Sequence, residues 1–237
     1  SGFRASIMLG RLLGGQEKFL NFFFPRYCLG CGREGAYFCQ RCRPELPFQE
    51  PPYCPDCGKS LDHHPSCDNL APELLALHSV FRFEGVIKKA VHQFKYNNLR
   101  DIAAPLGGFL ADYLKFNDLA GDALVPVPLH KSRLRDRGYN QSELLALMLH
   151  RLTDLPLFLD ALKKVKPTPP QAKSVSVEAR QLAVVDAFKC YNNKLKGRRV
   201  ILIDDVATSG ATLSACAKVL AAAGVSEVRA LTLTREI

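Results

Sequence analysis

The chain has no apolar stretch long enough to cross a membrane. A membrane-spanning helix needs about 20 consecutive apolar residues, and no window of the 237 residues approaches that length. The apolar N-terminal stretch is interrupted by charged residues, among them Arg4, Arg11 and Lys18. It predicts an amphipathic helix over residues 1–26 and not a secretory signal. We therefore expect a cytoplasmic protein without a membrane span.

Acidic residues are scarce relative to basic ones. The chain has 32 lysines and arginines against 23 aspartates and glutamates, a formal net charge of +9. The basic residues cluster at 88–100, 130–138 and 194–199. This excess favours anionic partners, either phosphorylated ligands or nucleic acid. The length allows one α/β domain plus a smaller module.

The cysteines are concentrated in one short segment. Seven of the nine lie between Cys28 and Cys67. Four thiolates in two CxxC pairs are typical of a tetrahedral structural zinc site. The two pairs consist of Cys28, Cys31, Cys39 and Cys42. The alternative, a disulfide framework, requires an extracellular setting that no secretory signal supports.

A second group of cysteines lacks a fourth ligand. Its three thiolates come from Cys54, Cys57 and Cys67, whereas a closed structural site needs four ligands. His64 or His63 would complete a Cys₃His set. Asp68 is a weaker candidate, because carboxylates are less common in structural zinc sites. The remaining alternative is that this second site holds no metal.

The most informative segment is VILIDDVATSGATLSAC, residues 200–216. Its first four residues predict a strand buried on both faces, as in a parallel sheet. Asp204 and Asp205 follow at the carboxyl end, where open α/β sheets bind ligands. Small and hydroxyl-bearing residues at 208–212 then lead into a helix that we expect to begin near Leu213.

The turn before that helix suits an anion. Its residues are Thr208, Ser209, Gly210, Ala211 and Thr212. The first turn of a helix has unpaired N–H groups and the positive end of the helix dipole. Unlike a Walker A loop, the segment has no lysine, and its two acids suit sugar hydroxyls or a hydrated Mg²⁺. The prediction is a phosphorylated ribose as ligand; the alternative is that these residues only end a strand and cap a helix.

The rest of the chain predicts alternating strands and helices, and hence a parallel sheet with right-handed crossovers. Residues 129–138 are predicted to be a basic loop, and residues 163–182 a long loop. The other predicted elements are a strand at 77–83, helices at 86–94 and 101–116, a strand at 122–128, and helices at 138–152 and 213–223 followed by a strand at 225–233.

Together these landmarks resemble the ComF family of competence proteins, including its ComFC members. The matching pieces, in the family's order, are FPRYCLGCG, FCQRC, YCPDCG, FRFEGVIKKAVHQFKY, VPVPLHKSRLRDRGYNQ and the segment 200–216. The resemblance implies a double zinc ribbon over residues 27–72 and a type I phosphoribosyltransferase-like α/β domain over residues 73–237. The family's second ribbon commonly closes with another CxxC, which this chain does not have after Cys67.

The resemblance also implies a site for phosphoribosyl pyrophosphate with Mg²⁺. Asp204 and Asp205 would then meet the ribose 2′ and 3′ hydroxyls, and residues 208–212 the 5′-phosphate. The pyrophosphate would face the basic loop, with Lys131, Arg133, Arg135 and Arg137 as candidates. The alternative for that loop is a solvated surface turn.

A lid over the site is expected at residues 166–180, because a reactive ribose needs shielding from water. Its anion-contacting candidates are Gln171, Lys173 and Arg180. The same residues are equally consistent with ordinary polar loop positions.

Three functions follow from these features. The first, which the family resemblance favours, is a protein that binds phosphoribosyl pyrophosphate and handles imported single-stranded DNA, with a competence helicase as a partner. The second is an enzyme that transfers phosphoribose to an acceptor, and the third is a ligand sensor without catalysis. Tyr96, Tyr139 and Phe94 lie beside basic residues and are candidates for base stacking, or else core residues.

Overall fold

The computed structural model describes residues 25–49, 73–166 and 187–236. Its strands, in chain order, are β1 (Ala76–Arg82), β2 (Ala123–Pro126), β3 (Leu162–Lys164), β4 (Phe188–Cys190), β5 (Arg199–Ala207) and β6 (Glu227–Arg235). Four of them form a parallel sheet in the order β1-β6-β5-β2, and β3 and β4 pair antiparallel as a separate two-stranded ribbon. The predicted α/β class with a parallel sheet is confirmed.

The helices account for most of the connections between these strands. They are α1 (Gly85–Tyr96), α2 (Ala103–Phe116), α3 (Lys131–Arg137), α4 (Gln141–Thr153) and α5 (Ala211–Ala222), with short 3₁₀ turns at Arg43–Glu45, Arg100–Ile102 and Asn193–Leu195. Among the described residues, no helix is both long enough and apolar enough to cross a membrane.

The prediction of a loop at residues 129–138 is wrong, because seven of these residues form α3. His130 caps the helix, since its Nδ1 accepts a hydrogen bond from the Ser132 N–H at 3.3 Å. Gly138 ends it with a left-handed backbone, φ 75°, which glycine adopts without steric cost. Sequence periodicity missed α3 because the helix has no buried face.

Alternating residues of β5 serve two separate cores. Ile201 and Ile203 pack into a cluster formed with α1, α2 and α4, whereas Val200 and Leu202 pack into a cluster formed with α5. All four side chains are at most 1% exposed. The strand is buried on both faces, as the unbroken aliphatic run predicted.

The cysteine-rich module covers one edge of the sheet. The Gln49 N–H donates to the Val80 carbonyl of β1, and the Arg82 N–H donates to the Pro47 carbonyl, both at 2.9 Å. Phe48 packs against Phe81 with ring centroids 4.8 Å apart. The outer backbone groups of Val80 and Arg82 are thereby paired, which covers this end of the edge strand.

Two adjacent glycines of α2 have different surroundings. A Cβ on Gly107 would lie 2.4 Å from Met148 Cβ of α4, whereas a Cβ on Gly108 would meet nothing within 4 Å. The absence of a side chain at Gly107 therefore sets how closely α2 and α4 approach.

We expect Gly107→Ala to destabilise the protein, because the new methyl group forces α2 and α4 apart. Such overpacking costs about 1–3 kcal/mol. Gly108→Ala is the matched control and should be neutral or stabilising by up to ~1 kcal/mol, since alanine favours a helix. Urea unfolding measures both free energies. Equal effects of the two substitutions would contradict the close approach.

Candidate functional site

Two adjacent carboxylates lie inside β5, not after it. The predicted strand ended at residue 203, but pairing with β6 continues through Asp204, opposite Thr232, to Ala207, opposite Arg235. Sequence reasoning missed this extension because carboxylates are uncommon within a buried strand. The acids are therefore held by the sheet and not by a flexible turn.

Asp204 is held by neighbours from α4 and from its own strand. Its Oδ1 accepts a hydrogen bond from Ser142 Oγ at 2.7 Å and another from the Asp205 N–H at 2.9 Å. Burial and the adjacent charge of Asp205 raise the pKa of Asp204 to about 7, although the bond from Ser142 and the charge of Lys95 oppose that rise. Near neutral pH this carboxyl is therefore ready to lose its proton when a cation or a hydroxyl-rich ligand arrives.

Asp205 is 7% exposed and forms an ion pair with α1. Lys95 Nζ, at the last turn of that helix, lies 3.0 Å from Asp205 Oδ2. A buried carboxylate needs such a partner, because an unpaired charge in the protein interior is costly. Lys95 gives no signal of its own in the sequence, since a lysine at the end of an amphipathic helix resembles any solvated lysine.

A cleft of about 980 Å³ opens above these acids. Six cationic side chains and three carboxylates line it. The cations are Lys95, Arg100, Arg133, Arg135, Arg137 and Lys164, and the carboxylates are Asp136, Asp204 and Asp205. The positive charges outnumber the negative ones in a concave site, so the cleft favours a ligand with several negative charges.

Three of the four predicted pyrophosphate-side residues line the cleft, all from α3. They are Arg133, Arg135 and Arg137, whereas Lys131 at the start of the helix lies outside the lining. Arg137 is held by Gln141 Oε1, which accepts its hydrogen bond at 3.1 Å. Three guanidinium groups on one short helix provide donors in the geometry that phosphate oxygens accept.

Lys164 reaches the cleft from β3 and was missed because its segment was predicted to be a loop. Burial lowers the pKa of Lys164, and the charge of Arg133 adds to that effect, while Cys216 and Asp204 oppose it. The ammonium group thus lies between the arginines of α3 and the carboxylates of β5. It brings the β3–β4 ribbon into contact with the cleft.

The predicted phosphate turn joins β5 to α5. Gly210 has φ 73° and precedes Ala211, the first residue of α5, so the helix begins two residues before the expected Leu213. Thr212 lines the cleft, and the remaining candidates, Thr208, Ser209, Gly210 and Ala211, form the turn beside it. The N-cap residue of α5 is Gly210, which has no side chain to accept hydrogen bonds from the first N–H groups of the helix. These N–H groups are therefore available to an anion near Thr212.

Only one of the three candidate stacking aromatics is exposed. Phe94 is fully buried and Tyr139 is 7% exposed, with its hydroxyl donating to the Phe94 carbonyl. Tyr96 is 63% exposed at the cleft, between His92, at a ring distance of 4.8 Å, and the Arg137 guanidinium, 5.4 Å from the ring centre.

The four cysteines of the first predicted metal site converge. The sulfur atoms of Cys28, Cys31, Cys39 and Cys42 all lie within 4.8 Å of one another, and all four are free thiols. Burial opposes ionisation of Cys28, but N–H groups of Cys39, Cys31 and Gly30 lower its pKa to about 6. The neighbouring sulfurs raise the pKa of Cys42 to about 12. Four converging sulfur atoms form a Cys₄ donor set, which fits zinc.

Two groups of predicted residues lie outside the described ranges. They are the second metal set, Cys54, Cys57, Cys67 and His64, and the lid candidates Gln171, Lys173 and Arg180.

Comparison with known proteins divides the chain into the same two kinds of module. Residues 19–71 match the model of the double zinc ribbon domain, and residues 140–236 match that of the phosphoribosyl transferase domain. Among solved structures, glutamine phosphoribosylpyrophosphate amidotransferase from B. subtilis is 20% identical, with a TM-score of 0.41 over 60% of this chain. The chain spans 30% of that protein's length.

Curated relatives match over most of their length. Competence protein F of Haemophilus influenzae is 32% identical over 88% of this chain and 90% of its own. Competence protein ComFC of Bacillus subtilis is 32% identical over 83% of each chain. DNA utilization protein YhgH of Escherichia coli is 28% identical over 78% of this chain and 84% of its own. With its zinc-ribbon cysteines and its phosphoribosyltransferase domain, the chain belongs to the ComF family of competence proteins.

Proposed function

We propose that the protein binds phosphoribosyl pyrophosphate together with Mg²⁺ in the cleft and acts in the handling of imported single-stranded DNA. The observation that supports this ligand is that three features meet in one cleft. These are the adjacent carboxylates of β5, the first turn of α5 and the arginines of α3. Each suits a different part of one molecule, in an order that its chemistry requires.

The carboxylates suit the ribose. Asp204 and Asp205 accept hydrogen bonds, and the 2′ and 3′ hydroxyls of a ribose donate them. The positive end of α5, at Gly210 to Thr212, suits the 5′-phosphate. Arg133, Arg135 and Arg137 suit the pyrophosphate, whose charge exceeds that of the 5′-phosphate.

Mg²⁺ fits the same site by the chemistry of its ligands. Carboxylate oxygens are preferred Mg²⁺ ligands, and Mg²⁺ usually binds one or two carboxylates together with substrate phosphates. Asp204 and Asp205 are the described residues that would hold it. The raised pKa of Asp204 marks a carboxyl whose ionised form lacks a full compensating charge. When bound, the ion would neutralise negative charge between the acids and the pyrophosphate.

The DNA part of the proposal is supported by the names of the relatives. Two are called competence proteins, and a third is called a DNA utilization protein. A chain with a net charge of +9 is suited to an anionic polymer. The four-cysteine cluster plays a structural part, since a short segment of this kind gains its folding free energy from the metal.

We expect Asp205→Ala to weaken binding of phosphoribosyl pyrophosphate by about 100-fold or more, because a buried charged hydrogen-bond partner is lost. Asp122→Ala is the matched control. Asp122 is paired with Arg199 at 2.7 Å, near the opposite end of β5, and its removal should leave affinity unchanged. Calorimetric titration with Mg²⁺ measures both, with ribose 5-phosphate as a weaker reference ligand. Unchanged affinity in a folded Asp205→Ala variant would refute the assignment.

Asp204 should contribute a loss of stability in the free protein as the pH rises from about 4 to 7. The folded-state pKa of Asp204 is raised from 3.8 to about 7, so in this window this carboxyl binds more protons in the folded state than in the unfolded state. The contribution of Asp204 to stability therefore falls with rising pH and levels off above 7. Asp205, Lys95, Lys164 and Cys216 are the charged or titratable groups that interact with this carboxyl.

The difference between the wild type and Asp204→Asn isolates this effect. Thermal unfolding without ligand should show the variant gaining stability relative to the wild type between pH 5 and pH 8, on the order of 2 kcal/mol. A difference that does not change with pH would show that Asp204 ionises normally.

Replacing Cys28 and Cys31 by serine should remove one equivalent of zinc and destabilise the whole protein. Residues 47–49 pair with β1, so loss of the metal also uncovers the sheet edge. Mass spectrometry of the metal content and thermal unfolding measure the two effects. Cys190→Ser, a half-buried free thiol outside the cluster, is the control and should keep the wild-type zinc content.

A further inference from the structure

The outward face of the β3–β4 ribbon carries two lysines directly opposite each other. Lys163 of β3 is paired in register with Lys189 of β4, and both side chains are exposed. Opposed residues of an antiparallel pair have Cβ atoms about 4.5–5.5 Å apart, and like charges at that distance destabilise the pairing. Neither ammonium group is in an ion pair with a carboxylate in the part of the chain that the structure describes.

The ribbon is nevertheless firmly attached to the domain. On its inward face Leu162 and Phe188 are buried in the core beside α5. Lys164 lies on that inner side and reaches the cleft, with its Nζ 5.2 Å from the centre of the Phe188 ring. The ribbon is therefore anchored to the domain by its buried residues. Its inward face carries Lys164 at the cleft, and its outward face carries the two exposed lysines.

An exposed aromatic ring lies next to the opposed lysines. Tyr191 directly follows β4, and its N–H donates to the Ala161 carbonyl at 2.9 Å, which extends the pairing of β3 and β4 by one hydrogen bond. Its side chain is 57% exposed, and Lys163 Nζ lies 5.2 Å from its ring centre. An exposed tyrosine ring beside two cations can stack on an aromatic base while the cations contact negatively charged groups of the same ligand.

We propose that the outward face of the β3–β4 ribbon, formed by Lys163, Lys189 and Tyr191, binds single-stranded DNA. The two ammonium groups contact phosphates of the backbone, and the Tyr191 ring stacks on an unpaired base. Cationic groups that track phosphates and an aromatic side chain that stacks on bases are the features by which proteins bind single strands without sequence preference. The inference rests on the DNA part of the proposed function and gives it a surface.

Single strands fit this face better than a duplex does. Stacking on Tyr191 requires a base with a free face, and a paired base inside a duplex does not offer one. The face is separate from the acids that we assign to the ribose, but Lys164 belongs to the same strand as Lys163. Single-stranded DNA on the outward face and a phosphorylated ligand in the cleft would thus contact opposite sides of the β3–β4 ribbon.

The test is fluorescence anisotropy of a labelled oligodeoxythymidylate on the full, zinc-loaded chain, at salt concentrations between about 50 and 200 mM. Lys163→Gln/Lys189→Gln should weaken binding by about 10-fold or more at the lower salt concentration. The negative slope of log affinity against log salt should become shallower by about 1.4, because each phosphate contact to a single strand contributes about −0.7. The control, Lys88→Gln/Lys115→Gln, removes the same charge from exposed positions on α1 and α2 and should behave as the wild type.

Thermal unfolding separates this role from a structural one. Removing two opposed like charges should leave the melting temperature unchanged or raise it, so loss of DNA binding in a protein of undiminished stability supports the proposal. Tyr191→Ala should weaken binding by about 10-fold with an unchanged salt slope, whereas Tyr191→Phe should retain it.

Three outcomes would overturn the proposal. If both lysine pairs have equal effects, the DNA surface lies elsewhere while the DNA part of the proposed function stands. If a duplex of the same length binds more tightly than the single strand, stacking on Tyr191 is refuted. If the wild type does not bind single-stranded DNA at all, that part of the proposed function fails as well, and titration of phosphoribosyl pyrophosphate then tests the cleft independently.

Discussion

The placement of two neighbouring carboxylates within one interior strand is the constraint on which the site depends. Like charges in adjacent positions repel each other, and burial increases the cost because the surroundings screen them poorly. The protein meets that cost with contacts from Ser142 of α4 and Lys95 of α1, and with the charge of Lys164 of β3, which interacts with Asp204. The positions of these elements around β5 are thus tied to the acids, and a residual imbalance raises the pKa of Asp204.

The segment that contains the four clustered cysteines contacts the α/β domain at β1, the edge strand of the sheet. The segment after the four-cysteine cluster pairs with β1, and Phe38 packs edge-on against Phe109 of α2 at 5.4 Å. Metal binding and folding of the sheet are therefore coupled, because one apolar core contains residues of both modules. The strand order β1-β6-β5-β2 puts β6 between this edge and β5. A metal-dependent contact at β1 thus supports the site through one intervening strand.

The β3–β4 ribbon connects the cleft with the outer surface. One of its lysines lines the cleft and two others face outward, so alternation along a strand places neighbouring lysines on opposite faces of the ribbon. Buried anchors at Leu162 and Phe188 hold the ribbon in place. The ligand that we propose for the cleft and the single strand that we propose for the outer face would therefore contact the same anchored ribbon.

Local patterns in the sequence determined the modules and the residue types of the site. Paired CxxC spacing predicted the four-cysteine cluster, and the aliphatic run at 200–203 predicted a doubly buried strand. Asp204, Asp205 and Thr212 were predicted from their order along the chain, and all three line the cleft. These features depend on near neighbours, and periodicity and spacing report on near neighbours directly. Only the tertiary structure decided that Lys95, Arg100 and Lys164 join the cleft, that α3 is a helix, and that β5 continues past its acids. The cleft lining and the length of β5 depend on contacts between residues far apart in sequence, for which a lysine or an aspartate carries no local signal. The helix α3 has no buried face, so hydrophobic periodicity could not report it.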